Sequence, residues 1–145
     1  MKQEVKFITF YKFYITDLIS TMTKPSQQAY DNAKLYKPYK IHKIDVNVDA
    51  IKNAILKYGA VIVSQLTYEG MLNPTDGYIP KPNSRSKLYG SHCVPIIGMS
   101  DSHVHNVNGL NCKGFFVELN SYGENTGVQG KQYLAYDCIT DKWAG

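Results

Sequence analysis

The chain has 145 residues, 43% hydrophobic and 19% charged, enough apolar material for one folded domain and too much for a disordered chain. A net charge of +4 is mild, and the sixteen Lys and Arg are scattered, so no nucleic-acid footprint is visible. No apolar run spans a bilayer, and Glu4, Lys6, Lys12 and Asp17 interrupt the N-terminal stretch, so neither a membrane segment nor a signal peptide is expected.

In chain order, residues 1–39 form an N-terminal aromatic and polar segment of uncertain role. Phe7, Phe10, Tyr11, Phe13 and Tyr14 crowd its start, and they suit a core or a partner-facing surface better than a ligand box. Turn signals stand at Lys24-Pro25-Ser26 and Lys37-Pro38. Ser26 is a good N-cap, so a short helix is expected over Ser26–Leu35, ending before Pro38.

Residues 40–145 read as a second domain. Ile41, Ile44, Val46 and Val48 make a β-branched run that predicts a strand. Asn47 then caps a helix with Asp49 and Ala50 in its first turn and Gly59 behind its last. Val48, Ile51, Ile55 and Tyr58 share one face of that helix, while Lys52, Asn53 and Lys57 point away. Ala60–Val63 is too short and too β-branched for a helix and reads as a buried strand. Thr67–Tyr89, with Pro74, Gly77, Pro80 and Pro82, reads as loop. Three more strands are expected at His92–Met99, Gly114–Asn120 and Gln132–Asp137. A turn-rich Ser100–Lys113 and a Gly-rich Ser121–Lys131 join them. The pattern predicts an α+β fold with an antiparallel sheet or open barrel.

Four blocks carry more than periodicity. Val48–Val63 is a short helix leading into Gly-Ala-Val-Ile-Val. Next come Gly90-Ser-His-Cys-Val-Pro-Ile-Ile-Gly-Met99 and Gly114-Phe-Phe-Val-Glu-Leu-Asn-Ser-Tyr-Gly123, and last Gly127-Val-Gln-Gly-Lys-Gln-Tyr133. In this order they resemble the C-terminal half of papain-like cysteine peptidases. The family's patterns there are G-P-V-x-V, G-x-H-A-V-x-x-V-G-Y, G-Y-W-x-x-K-N-S-W-G and W-G-x-x-G-Y-x-x-I. Ala60 replaces the family's proline and Tyr122 its tryptophan.

The resemblance implies an α+β fold, the right-hand β-barrel-like half of a papain-like (cysteine proteinase) fold, with an antiparallel sheet and one or two short helices. It implies roles as well. In a Cys-His-Asn triad, His92 would be the general acid–base and Asn120 the residue that orients it. Tyr122 would shield their hydrogen bond, with Gly90 and Gly123 framing the two motifs.

The family's nucleophile and oxyanion-hole glutamine lie in its other half, within a Q-x-x-C-G-S-C-W stretch. Residues 1–40 contain no cysteine, so Gln27 and Gln28 have no such role. Cys93 adjoins His92, and neighbours on a strand point to opposite faces, so the two cannot pair; it stands at the family's small apolar position, where a buried structural thiol is expected. Cys112 and Cys138 flank strands away from the His–Asn corner and are expected to be structural. No CxxC pair suggests zinc, and no metal or other cofactor is expected. His103-Val-His105 has no third ligand at useful spacing and is expected to be a solvent-exposed pair in a loop.

The function implied is a papain-like cysteine peptidase fragment or homologue. It would be inactive alone, or completed by a second chain supplying cysteine and glutamine, with a peptide or protein as substrate. The alternative is a non-catalytic binding, inhibitory or structural protein on a degenerate papain-like fold, with a protein target. Neither nucleic acid nor membrane is an expected partner.

Overall fold

The computed structural model describes residues 24–36, 41–72 and 74–140. The chain divides into two units, Met1–Lys43 and Ile44–Gly145. The described part of the first holds α1 (Gln27–Ala33) and a 3-10 turn at Lys34–Tyr36. Ser26 caps α1, its Oγ accepting from the Ala29 N–H at 3.2 Å. The aromatics Phe7, Phe10, Tyr11, Phe13 and Tyr14 lie outside the described residues.

The strand expected from Ile41 to Val48 does not form. Residues 41–45 carry no regular structure, and Val48 already belongs to α2 (Val48–Tyr58). A β-branched run favours a pleated surface through its neighbours, and no described strand pairs with this one. The helix itself is bounded as expected. Asn47 Oδ1 accepts from the Ala50 N–H at 2.8 Å, and Gly59 closes the C-terminus at φ 86° with its N–H on the Ile55 carbonyl. Ile51, Ala54 and Ile55 are buried from this helix, whereas Lys52 reaches over to the Asp101 carboxylate at 2.8 Å.

After α2 come β1 (Val61–Tyr68), the single-turn α3 (Glu69–Leu72), a 3-10 turn at Thr75–Gly77, β2 (Leu88–Val107), β3 (Leu110–Leu119), β4 (Lys131–Ala135) and α4 (Tyr136–Thr140). The strands form one antiparallel sheet in the order β1-β2-β3-β4. The second unit is therefore α+β, with short helices against an open antiparallel sheet. Phe115, Phe116, Ile96, Leu134, Ile51 and Ile79 fill its core, all nearly or fully inaccessible. Each contributes roughly 1.5–3 kcal/mol by leaving water.

Three segments differ from the sequence expectation. Ser100–Lys113 is mostly ladder instead of loop, because Asn108 and Gly109 (φ 52° and 88°) form the tight turn of a β2–β3 hairpin. Asn106 braces that turn, its Oδ1 accepting from the Gly109 N–H at 2.8 Å. Strand β1 runs on to Tyr68 and β2 begins at Leu88, so the loop between them is shorter than expected. Tyr136 and Asp137, expected in a strand, open α4 instead. Register shifts in β2 between Ile96 and Gly98, and between Ser100 and Val104, bend this twenty-residue strand.

Candidate active site

The corner of interest lies where β2 begins and β3 ends. His92 pairs in register with Gln65 of β1. Because side chains alternate along a strand, His92 shares a face with Val94 and Ile96. On β3 the same face carries Phe116, Glu118 and then Asn120, and Glu118 stands opposite Ile96 on one side and Gln132 on the other.

His92 Nε2 and Asn120 Oδ1 are 3.2 Å apart. Which atom donates follows from the neighbours. The Ser121 backbone N–H, which can only donate, bonds Asn120 Oδ1 at 2.7 Å and so fixes the amide's orientation. At the other end, the Met71 carbonyl can only accept, so it takes a proton from Gln132 Nε2 at 3.2 Å. Gln132 Oε1 must then face Asn120 Nδ2, which donates to it at 2.9 Å. Asn120 Oδ1 is thereby left as an acceptor, and His92 Nε2 carries the hydrogen. The neutral imidazole is held in one tautomer, with the lone pair on Nδ1.

The Tyr122 ring stacks on His92, centroids 5.3 Å apart and planes 15° from parallel, with 42% of the residue exposed. Gly90 faces Thr67 next to a register shift at the start of β2, and the Gly123 carbonyl accepts from the Thr126 N–H at 3.2 Å to close the following turn. The structure thus brings His92, Asn120 and Tyr122 together, with the two glycines flanking them.

No protein-family profile matches the chain. Over 140 residues it is 25% identical to an uncharacterized peptidase C1-like protein of Acanthamoeba polyphaga mimivirus, covering 89% of this chain and 42% of that protein. Among solved structures it superposes on xylellain, a cysteine protease from Xylella fastidiosa, with a TM-score of 0.66 and 22% identity. That match covers 83% of this chain and 42% of xylellain. The fold is papain-like. A second match is to the cysteine protease and lectin-like domains of Cwp84, a surface layer associated protein of Clostridium difficile. There the TM-score is 0.55 and the identity 20%, over 86% of this chain and 28% of the other. The chain therefore spans about two-fifths of the curated relative's length.

Papain-like chemistry needs a thiol beside the imidazole, and none of the three described cysteines stands there. Cys93 is exposed, where burial was expected: it pairs with the exposed Ser64 on the outward side of β2, away from the His92 face. Cys112 and Cys138 are free and buried, lining a cavity of about 290 Å³ with Ile79, Val107 and Leu110 that includes neither His92 nor Asn120. Cys112 donates to the Leu110 carbonyl at 3.6 Å. Burial pushes both thiols up, Cys138 to about 12, with the neighbouring Cys112 and Asp137 adding to the effect there. A thiol held protonated is a poor nucleophile.

His103 and His105 belong to β2 and not to a loop, and they stack on the Tyr78 ring at 5.8 and 3.6 Å. His103 Nε2 is 2.6 Å from the Tyr78 hydroxyl. Among the described residues no set of three or more His, Cys, Asp or Glu is grouped to hold a metal.

Three residues of the corner escaped the sequence reading: Gln132, Glu118 and Gln65. All are buried, and Gln65 Nε2 donates to Glu118 Oε2 at 3.1 Å. Burial lifts the Glu118 carboxyl from its ordinary 4.5 to about 7, against the Gln65 hydrogen bond that lowers it. A signal was present in the alternation, because each of these polar residues falls at an inward position of its strand.

Proposed function

We propose that the chain is the acid–base half of a papain-like cysteine peptidase, and that a polypeptide segment outside the described residues supplies the nucleophile and the oxyanion-hole amide. The observation that carries this reading is the His92–Asn120 pair, held in the tautomer that leaves the lone pair on Nδ1.

In the assembled site, that lone pair takes the proton from a cysteine thiol brought against it, and the imidazolium holds the thiolate as an ion pair. The sulfur attacks the peptide carbonyl carbon, the C–N bond breaks, and Nδ1 returns the proton to the leaving amine. Water then hydrolyses the thioester with His92 as base. Asn120 keeps the ring in plane throughout, and Tyr122 covers part of the His–Asn hydrogen bond.

The test is complementation. The purified chain is assayed with a fluorogenic peptide and a thiol-directed vinyl sulfone, alone and after addition of the product of a neighbouring reading frame carrying Q-x-x-C-G-S-C-W. Turnover that appears in the mixture and drops about 10³-fold with His92→Ala supports the reading. Labelling of Cys93, Cys112 or Cys138 with turnover by the chain alone overturns it. A stable complex without turnover assigns the chain to the binding-module class instead.

A further inference from the structure

Glu118 is 0% exposed and yet only half satisfied: Oε2 accepts from Gln65 Nε2, while Oε1 is buried without a partner. An ionised carboxylate can only accept hydrogen bonds, and burying one with an unpaired oxygen is costly. A neutral acid has a hydroxyl to donate. Its cross-strand partner is Gln132, and the Cβ atoms of such a pair lie about 5 Å apart, within reach of two side chains of this length. Gln132 Oε1 accepts one hydrogen bond from Asn120, and a carbonyl oxygen has a second lone pair.

We propose that Glu118 works as a neutral acid and is the positioning residue of this corner, its O–H donating to Gln132 Oε1 and so tightening the relay that aims Asn120 at His92. The inference rests on reading His92 and Asn120 as a papain-like acid–base pair. Loss of the proton would turn a donor into an acceptor facing the Gln132 oxygen, and the relay would loosen. The neighbours facing Glu118 are Gln65 of β1, Ile96 of β2 and Gln132 of β4, none of which titrates. Burial and the Gln65 amide are the influences on its ionisation, with no charged group of α2, α3 or α4 contributing. His92 is the titratable group that shares the relay.

The experiment is a side-chain NMR titration of the full chain between pH 5 and 9. It follows the Asn120 and Gln132 amide resonances together with the Glu118 carboxyl carbon. An inflection tracking the Glu118 carboxyl is expected in both amides, and it should persist in His92→Ala. Glu118→Gln, which keeps a donor but cannot titrate, should remove it. Amide curves in the wild type that ignore the Glu118 carboxyl, or that persist unchanged in Glu118→Gln, overturn the proposal. No peptide cleavage is needed for the readout, so a failed complementation assay leaves this result standing on its own.

Discussion

The two ends of the β2–β3 ladder handle ionisable groups in opposite ways. At one end His92 and Asn120 sit in a chain of side-chain amides that settles every donor and acceptor up to the ring nitrogen. At the other, thirteen residues further along β2, His105 pairs with Cys112, and burial keeps the Cys112 and Cys138 thiols protonated. One end holds an imidazole hydrogen-bonded to an amide with no thiol beside it; the other has thiols that burial holds protonated. Reactivity in this fold follows from what surrounds a group, and having all three residue types in one chain does not assemble a triad. The polar end is also the expensive one to fold, since each buried amide or carboxyl left unpaired costs about 1–3 kcal/mol.

The strongest way to break this contrast is thiol accessibility. A thiol pushed up to about 12 is thiolate in only about one molecule in ten thousand at pH 8. Cys138 should therefore resist iodoacetamide about 10³-fold or more relative to the exposed Cys93, and become reactive on denaturation. Peptide mass spectrometry over a labelling time course reads this directly. Rapid native labelling of Cys138 would mean that the far end is activated after all.

The next effect is thermodynamic and belongs to the polar end. Glu118 is raised in the folded state, so the folded chain holds a proton that the unfolded chain releases above about 4.5. Its contribution is fully present below that pH, is lost progressively as pH rises to about 7, and changes no further above it. A shift of that size corresponds to about 3 kcal/mol. Urea midpoints from pH 4 to 8 should fall accordingly in the wild type, and the component due to this residue should disappear in Glu118→Gln. A slope shared by both proteins would assign the pH dependence to other groups.

Much of this was legible in the sequence where residue type and position agreed. Asn47 and Gly59 bound α2 as their residue types dictate, and the motifs around His92 and Asn120 hold the two side chains that meet at the corner. What escaped is equally specific. Gln65 and Thr67 occupy inward positions of β1, so a strand whose buried face turns polar outlasts the apolar pattern that stops at Val63. The β-branched Ile41–Val48 run failed in the reverse sense, since its local preference had no pairing partner. Asn108-Gly109 shares its composition with any loop, yet as a dipeptide it favours the two-residue hairpin turn that it forms here. Cys93, expected inside from its place in the papain-like pattern, lies outside, where its register opposite Ser64 puts it. In β1, the polar residues that hid the strand belong to the same buried network that holds the candidate site.

Gln132→Met sharpens the comparison at the relay itself. It keeps the volume and removes both polar contacts, leaving Asn120 Nδ2 and the Met71 carbonyl unpaired, at about 1–3 kcal/mol. With Asn120 free to turn, the imidazole ¹⁵N shifts of His92 should move from one tautomer toward a mixture. If the tautomer stays fixed in this variant, the Ser121 N–H alone orients Asn120, and the deeper residues serve folding only.

The smallest expected effect is at Tyr122, and it separates packing from electrostatics. The ring is stacked on His92 but 42% exposed, so its removal should cost only about 0.5 kcal/mol, near the low end for an aromatic pair. Tyr122→Ala should hardly move the urea midpoint. Water would nevertheless reach the His92–Asn120 hydrogen bond, and exchange of the Nε2 proton with solvent should accelerate. Tyr122→Trp, with the larger ring found at this position in the papain-like pattern, should slow it. An unchanged exchange rate in both variants would show that the amide relay, without a shielding ring, is what holds that proton in place.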